Sequence, residues 1–161
     1  MNPASRRSLF DRGAWYVVVQ ALLIGLILFG PQGFLLVRAE PLKTIFQSSG
    51  ISIGLLACLI VVISAINLGK NLTPLPCPRD DAQLVQAGLY GFVRHPMYFG
   101  VLLAAVAWFL LLPGMFILAY VICLFLLFDL KARREEVWLV ERFPEYGEYQ
   151  VNVKKLIPGI Y

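Results

Sequence analysis

Charge is scarce in this sequence. Asp, Glu, Lys and Arg make up 15% of its 161 residues, whereas 59% are hydrophobic. So few polar side chains cannot cover the surface of a water-soluble globule of this length. The charges that exist flank long uncharged stretches, which is a membrane pattern. Histidine is scarcer still: His95 is the only one, so chemistry that needs two imidazoles is excluded. Cys58, Cys77 and Cys123 form no Cys-x-x-Cys pair, and neither a disulfide framework nor a zinc site is supported. Gly-x-Gly-x-x-Gly, a P-loop and Gly-x-Ser-x-Gly are all missing, and with them the usual signs of dinucleotide, phosphate and acyl-transfer chemistry. No charge lies in the middle of an apolar stretch, which argues against proton pumping or ion coupling through the spans. The net charge of +4 gathers beside apolar runs rather than in a basic, aromatic-interleaved groove. Membrane topology accounts for it better than nucleic acid does.

What is present predicts an all-α, polytopic membrane helix bundle, a single membrane domain over 1–161. About four spans are expected, near 14–37, 50–68, 96–112 and 115–130. The Ser5-Arg6-Arg7-Ser8-Leu9-Phe10 start faintly resembles a twin-arginine export signal. The uncharged stretch after it is too long for a signal-peptide core and has no small-x-small cleavage site, so it is expected to remain as the first span. Gly30-Pro31 should kink that span or end it early. Thr73-Pro74-Leu75-Pro76-Cys77-Pro78 removes backbone donors and favours an extended loop. Residues 96–128 form an uncharged run too long for one ordinary span, and Pro113-Gly114 at its middle signals a turn, hence a short helical hairpin; one long kinked helix is the alternative. After Asp129 an amphipathic segment begins, with a stop at Phe143-Pro144. On the four-span model, twelve Lys and Arg residues fall on one side (Arg6, Arg7, Arg12, Lys70, Arg79, Arg94 and the six of the tail) and only Arg38 and Lys43 on the other. That bias places both termini, and the segments near 70–98 and 131–161, in the cytoplasm.

Two constellations could carry chemistry. Gly88-Leu89-Tyr90-Gly91-Phe92-Val93-Arg94-His95-Pro96-Met97-Tyr98 opens the third span. Arg94 can grip a carboxylate or phosphate with two prongs, and His95 can donate a hydrogen bond. Tyr90 and Tyr98 offer flat faces to a ring. Pro96 suits the first turn of a helix, which places His95 at its N-cap, where free N–H groups favour an anionic ligand group. An interfacial girdle of Arg, Tyr and Pro explains the same residue types. The second constellation, Arg133 to Arg142 in the run Arg-Arg-Glu-Glu-Val-Trp-Leu-Val-Glu-Arg, sets Glu135 and Glu136 close to the bilayer. Carboxylates there tend to be kept for a partner or a ligand, although pairing along the helix surface would also occupy them. If the hairpin forms, both constellations meet at one mouth.

Taken in order, Asn67-Leu68-Gly69, Thr73-Pro74-x-Pro76, Gly88-x-Tyr90-x-x-x-Arg94-His95-Pro96-x-Tyr98, Glu135-Glu136-x-x-Leu139, Phe143-x-x-Tyr146-x-x-Tyr149 and Ile157-Pro158 resemble the isoprenylcysteine carboxyl methyltransferase and phospholipid methyltransferase family of membrane enzymes. The first two spans carry no such mark. The resemblance implies S-adenosylmethionine as cofactor, surrounded by Gly88, Tyr90, Arg94, His95 and Tyr98. It further implies a lipid or lipidated acceptor, carboxylate or amine, entering from the bilayer, with no metal required. Glu136 and Arg142 would be catalytic, and Arg142, Tyr146 and Tyr149 would bind the acceptor. Six residues separate Glu136 from Arg142, so for them to meet the helix would have to end or bend near Phe143-Pro144. Two other readings stand beside this one: an NADPH-dependent membrane sterol-type reductase, and a non-catalytic membrane assembly or interaction protein whose basic tail docks on anionic headgroups. Gly25 and Gly54 would permit close helix contacts.

Overall fold

A computed structural model describes residues 12–37, 39–78 and 81–161. Arg6, Arg7, Arg38 and Arg79, which enter the charge count, lie outside these, as does the twin-arginine-like stretch. Among the described residues five α-helices follow one another: α1 (Ala14–Phe29), α2 (Leu42–Leu68), α3 (Pro96–Leu111), α4 (Met115–Arg142) and α5 (Tyr146–Asn152). Short 3-10 turns lie at Gly69–Asn71 and Gly88–Gly91.

The helix ends follow local chemistry more closely than they follow the uncharged runs. α1 stops at Phe29, because Gly30 turns extended and Pro31 cannot continue a helix. Residues 32–36 do not prolong a span. They fold against the α3–α4 turn, with Leu36 N donating to Pro113 O at 2.8 Å and Phe116 N to Gln32 O at 3.1 Å. α2 begins earlier than its uncharged core, at Leu42, and α4 runs past its apolar part without a break to Arg142. The hairpin is present, its arms separated by Leu112–Gly114. Among the described residues two helices can cross a membrane by length and composition, Leu42–Asn71 with 30 residues and Met115–Arg142 with 28. α1 and α3 have 16 residues each, a rise of about 24 Å.

The core lies between α1, α3 and α4, where Tyr16, Ile27, Leu102, Ile117, Leu124 and Phe128 are buried together. α2 covers the other side of α3 along a seam of small residues. Gly54 packs on Ala107, and at Gly100 a Cβ would come within 2.7 Å of Val61 Cγ2. Ala57 and Ser64 are fully buried on the α2 side. Small side chains let two backbones approach where lipid offers no hydrophobic drive for association. At Gly25 an added Cβ would meet nothing within 4 Å, so no close helix approach depends on that glycine. Leu55, Leu59, Val62 and Ile66 of α2 are exposed. An apolar outer face on so apolar a bundle is what contact with lipid requires, and the chain is a membrane protein.

Candidate functional site

The site is built at the end of the bundle where α3 begins and α4 leaves the apolar core. Pro96 occupies the first position of α3 and His95 its N-cap. Just upstream, Gly88 adopts a left-handed φ of 64°, and a Cβ there would lie 2.3 Å from the Asn67 Oδ1 atom. That oxygen accepts the Leu89 N–H at 3.1 Å. A glycine and the side chain closing α2 thus set the 88–91 turn together. A second asparagine holds the long loop: Asn71 exchanges two hydrogen bonds with the backbone of Gln83, at 3.0 and 3.1 Å.

The C-terminal segment completes the site. Val93 and Lys154 form a parallel bridge. Arg94 N donates to Lys154 O at 2.8 Å, and His95 N donates to Lys155 O at 3.1 Å. The Tyr149 hydroxyl donates to Tyr90 O at 2.5 Å, which ties α5 to the 88–91 turn.

Glu136 is the hub. Its carboxylate accepts from Arg94 Nε at 2.7 Å, Arg94 Nη2 at 3.3 Å, His95 Nε2 at 3.0 Å and Gln150 Nε2 at 3.0 Å. The residue is 8% exposed and His95 is 6% exposed. Such a carboxylate is tolerable only because every lone pair is answered. Arg94 spends its remaining reach on the Gln150 and Val153 carbonyls. The expected two-pronged grip of Arg94 on a ligand is therefore used internally, to lock helix α4, the Arg-His-Pro turn and the C-terminal segment into one unit.

Beside this hub lies a cleft of about 100 Å³, lined on one wall by Tyr90, Arg94, His95 and Tyr98 and on the other by Glu135, Leu139, Tyr146 and Tyr149. Its outer rim is formed by Asn71, Thr73 and Leu84. Ligand sites commonly reach ~300–1,000 Å³, so a nucleoside-sized ligand would fill this enclosed part and extend into the open mouth. Among the described residues Glu135 is the only acid in the lining. It accepts the Tyr98 hydroxyl at 2.7 Å, and its Oε2 stands 3.8 Å from His95 Nδ1. The Tyr98 ring stacks on His95 at 5.3 Å and on Phe128 at 4.8 Å. Lys131, only 2% exposed, reaches from α4 to Gln20 Oε1 at 2.8 Å and lies over the Tyr98 ring at 5.1 Å. Burial raises the Tyr90 and Tyr146 phenols well above their ordinary range and pushes Tyr149 up to about 12, so all three remain neutral donors at physiological pH.

The structure brings Tyr90, Arg94, His95, Tyr98, Tyr146 and Tyr149 to one cleft. Three expected site residues stand elsewhere. Gly88 shapes the turn rather than the lining. Glu136 sits beneath the wall, occupied by Arg94 and His95. Arg142 lies on an exposed part of the last turn of α4, its guanidinium 5.7 Å from the Phe143 ring centre. α4 is continuous from Glu136 to Arg142, and residues six apart on a helix leave it in different directions. Asn67 was visible in the sequence as part of a motif, but its bond to the 88–91 turn was not. Asn71, Gln83 and Gln150 carried no signal, because each acts through a partner distant in the chain.

Residues 50–141 match the model of the isoprenylcysteine carboxyl methyltransferase (ICMT) family. The chain is also similar to the Protein-S-isoprenylcysteine O-methyltransferase of Dictyostelium discoideum, 33% identical over 97 residues, which are 58% of this chain and 41% of that protein. It thus spans less than half the length of this curated relative. The family match takes in both the Arg94-His95-Pro96 turn and Glu136 on the helix opposite it, the parts that the geometry joins.

Proposed function

Because this chain belongs to the isoprenylcysteine carboxyl methyltransferase family, we propose that it is a membrane methyltransferase that uses S-adenosylmethionine and methylates a lipidated acceptor, a prenylated cysteine carboxylate first among the candidates. The observation that carries the reading is the cleft between the Arg94-His95-Pro96 turn and the Glu135 face of α4. The excess of Lys and Arg in the segments that carry it supports a cytoplasmic position for this cleft.

The lining fits that cofactor by its chemistry. Leu84, Val85, Met97, Leu139 and Phe143 supply apolar surface for a purine. Neutral phenols and the loop amides supply hydrogen bonds for a ribose. Glu135 supplies the negative charge that a cationic ligand requires beside it. Bound S-adenosylmethionine would bring an electrophilic methyl on a sulfonium, open to in-line displacement by an acceptor oxygen or nitrogen.

The rest falls to the protein. His95, held by Glu136, keeps one ring nitrogen turned toward Glu135 and the cleft. Tyr98 closes the floor against Phe128 and keeps water from the bilayer side. Glu136 acts by holding Arg94 and His95 in place. Arg142, at the open end of α4, is assigned the carboxylate of an acceptor arriving from the lipid. Tyr149 keeps the 88–91 turn closed over the site. Catalysis in such an arrangement comes from alignment and exclusion of water.

The test is calorimetric titration of S-adenosylmethionine into the detergent-purified protein, with NADPH in parallel, followed by methyl transfer to a prenylated cysteine analogue and to phosphatidylethanolamine. Binding of the methyl donor, weakened in His95→Ala, supports the proposal, and the acceptor that is methylated names the substrate. NADPH bound in its place would mean a reductase. A folded protein that binds neither would be an assembly protein.

A further inference from the structure

Asp129 stands at the place where α4 leaves its apolar stretch, two turns before Glu136, and it gathers more partners than a boundary carboxylate needs. Its Oδ1 accepts from Lys155 Nζ and, at 2.9 Å, from the Tyr161 hydroxyl. Its Oδ2 accepts from Arg133 Nε at 2.7 Å. Lys155 Nζ and Arg133 Nη2 each also donate to the Tyr161 hydroxyl, at 2.8 and 3.1 Å. The Lys155 and Asp129 side chains are 11% and 13% exposed. The Tyr161 carbonyl closes the loop by accepting from Leu156 N and Ile157 N at 2.7 and 2.8 Å, and Leu156 is fully buried beneath it.

Residues seven apart on a helix share a face, so Asp129 and Glu136 point to the same side of α4 and grip the same strap of chain, 150–161. The strap in turn accepts the Arg94 and His95 backbone N–H groups through its Lys154 and Lys155 carbonyls. Lys155 therefore holds His95 with its carbonyl and Asp129 with its ammonium.

We propose that Asp129 is a positioning residue. By fixing Lys155 and Tyr161 at the membrane exit of α4, it sets the register of the strap against the Arg94-His95 turn, and so the direction in which the His95 ring enters the cleft. Asp129 is not part of the cleft lining and acts through Lys155 and Tyr161. Its effect on turnover rests on the methyltransferase reading, but its effect on His95 does not.

The experiment uses the circumstance that His95 is the only histidine. The full chain, labelled with 15N-histidine and held in detergent micelles, gives one imidazole signal pair without assignment. In Asp129→Asn and in Lys155→Met the His95 ring and amide signals are expected to move together, in the same direction. The double variant should move them no further, and Asp129→Glu should bring them back toward the parent. Methyl transfer should fall by up to roughly 100-fold, the cost of about 1 Å of misplacement at a reacting centre, while Arg133→Met, which removes only the exposed partner, should leave it near the parent value. His95 signals identical to the parent in folded Asp129→Asn would overturn the proposal, as would shifts in the two single variants that differ in direction. Should Asp129→Asn fail to fold, Lys155→Met and Tyr161→Phe decide by the same comparison. A protein inactive toward every acceptor, yet with shifted His95 signals, would count against the methyltransferase reading and leave the positioning role of Asp129 standing.

Discussion

Replacing Glu136 by alanine removes an acceptor that answers four N–H donors from three residues, Arg94, His95 and Gln150. The Arg94 and Glu136 side chains are each 10% exposed, so water cannot readily enter to replace the carboxylate. Truncating one partner of a buried, hydrogen-bonded ion pair costs about 3–5 kcal/mol, because the charge left behind is uncompensated. The upper half of that range is expected here, since His95 and Gln150 lose their acceptor along with Arg94. Equilibrium unfolding in mixed micelles, monitored by tryptophan fluorescence, would measure the loss. The double variant Arg94→Met, Glu136→Leu should be less destabilised than Glu136→Ala alone, because no charge remains to be buried. A Glu136→Ala protein within about 1 kcal/mol of the parent would refute the view that this carboxylate is a structural hub, as would a double variant that simply adds the two single losses.

Two further outcomes follow from the same geometry. Gly88→Ala forces a side chain into a left-handed φ and against the Asn67 carboxamide; a loss of about 1–2 kcal/mol is expected from the backbone alone, and weaker S-adenosylmethionine binding should accompany it because the 88–91 turn carries Tyr90. For Tyr149, a raised folded-state value means that its contribution is intact below the ordinary tyrosine value near 10 and is lost as pH rises through about 12, while burial keeps Tyr90 and Tyr146 protonated higher still. Absorbance at alkaline pH should therefore show part of the tyrosine set still protonated when the rest has ionised, and stability should decline across that window; full ionisation at the ordinary value in a folded protein would contradict the burial of Tyr90, Tyr146 and Tyr149.

The hairpin was legible because Pro113-Gly114 interrupts an uncharged run too long for one helix, and the N-cap because Pro96 can begin a helix but not continue one. The meeting of the Arg94-His95 turn with the Glu135-Glu136 helix followed from that hairpin. Which carboxylate faces the cleft did not follow. Adjacent residues on a helix diverge by about 100°, and only the packed structure shows Glu135 lining the cleft and Glu136 turned to Arg94. The strap was hidden for a related reason. Its hydrogen bonds to Arg94 pass through the carbonyls of Gln150, Val153 and Lys154, and backbone acceptors leave no trace in side-chain identity. Likewise the length of α4 beyond its apolar part reads from composition as a change of environment, although the hydrogen-bonded helix does not change there at all.

That unbroken α4 makes the protein a gauge of its surroundings. A single rod of 28 residues, about 42 Å long, carries lipid-facing Leu126 at mid-length and Glu135 and Glu136 near its end. No hinge separates the two regions. When the bilayer thickens or thins, a stiff helix answers by tilting as a whole, and the carboxylates travel with it. Any tilt of α4 thereby moves the cleft wall and the apolar outer face together.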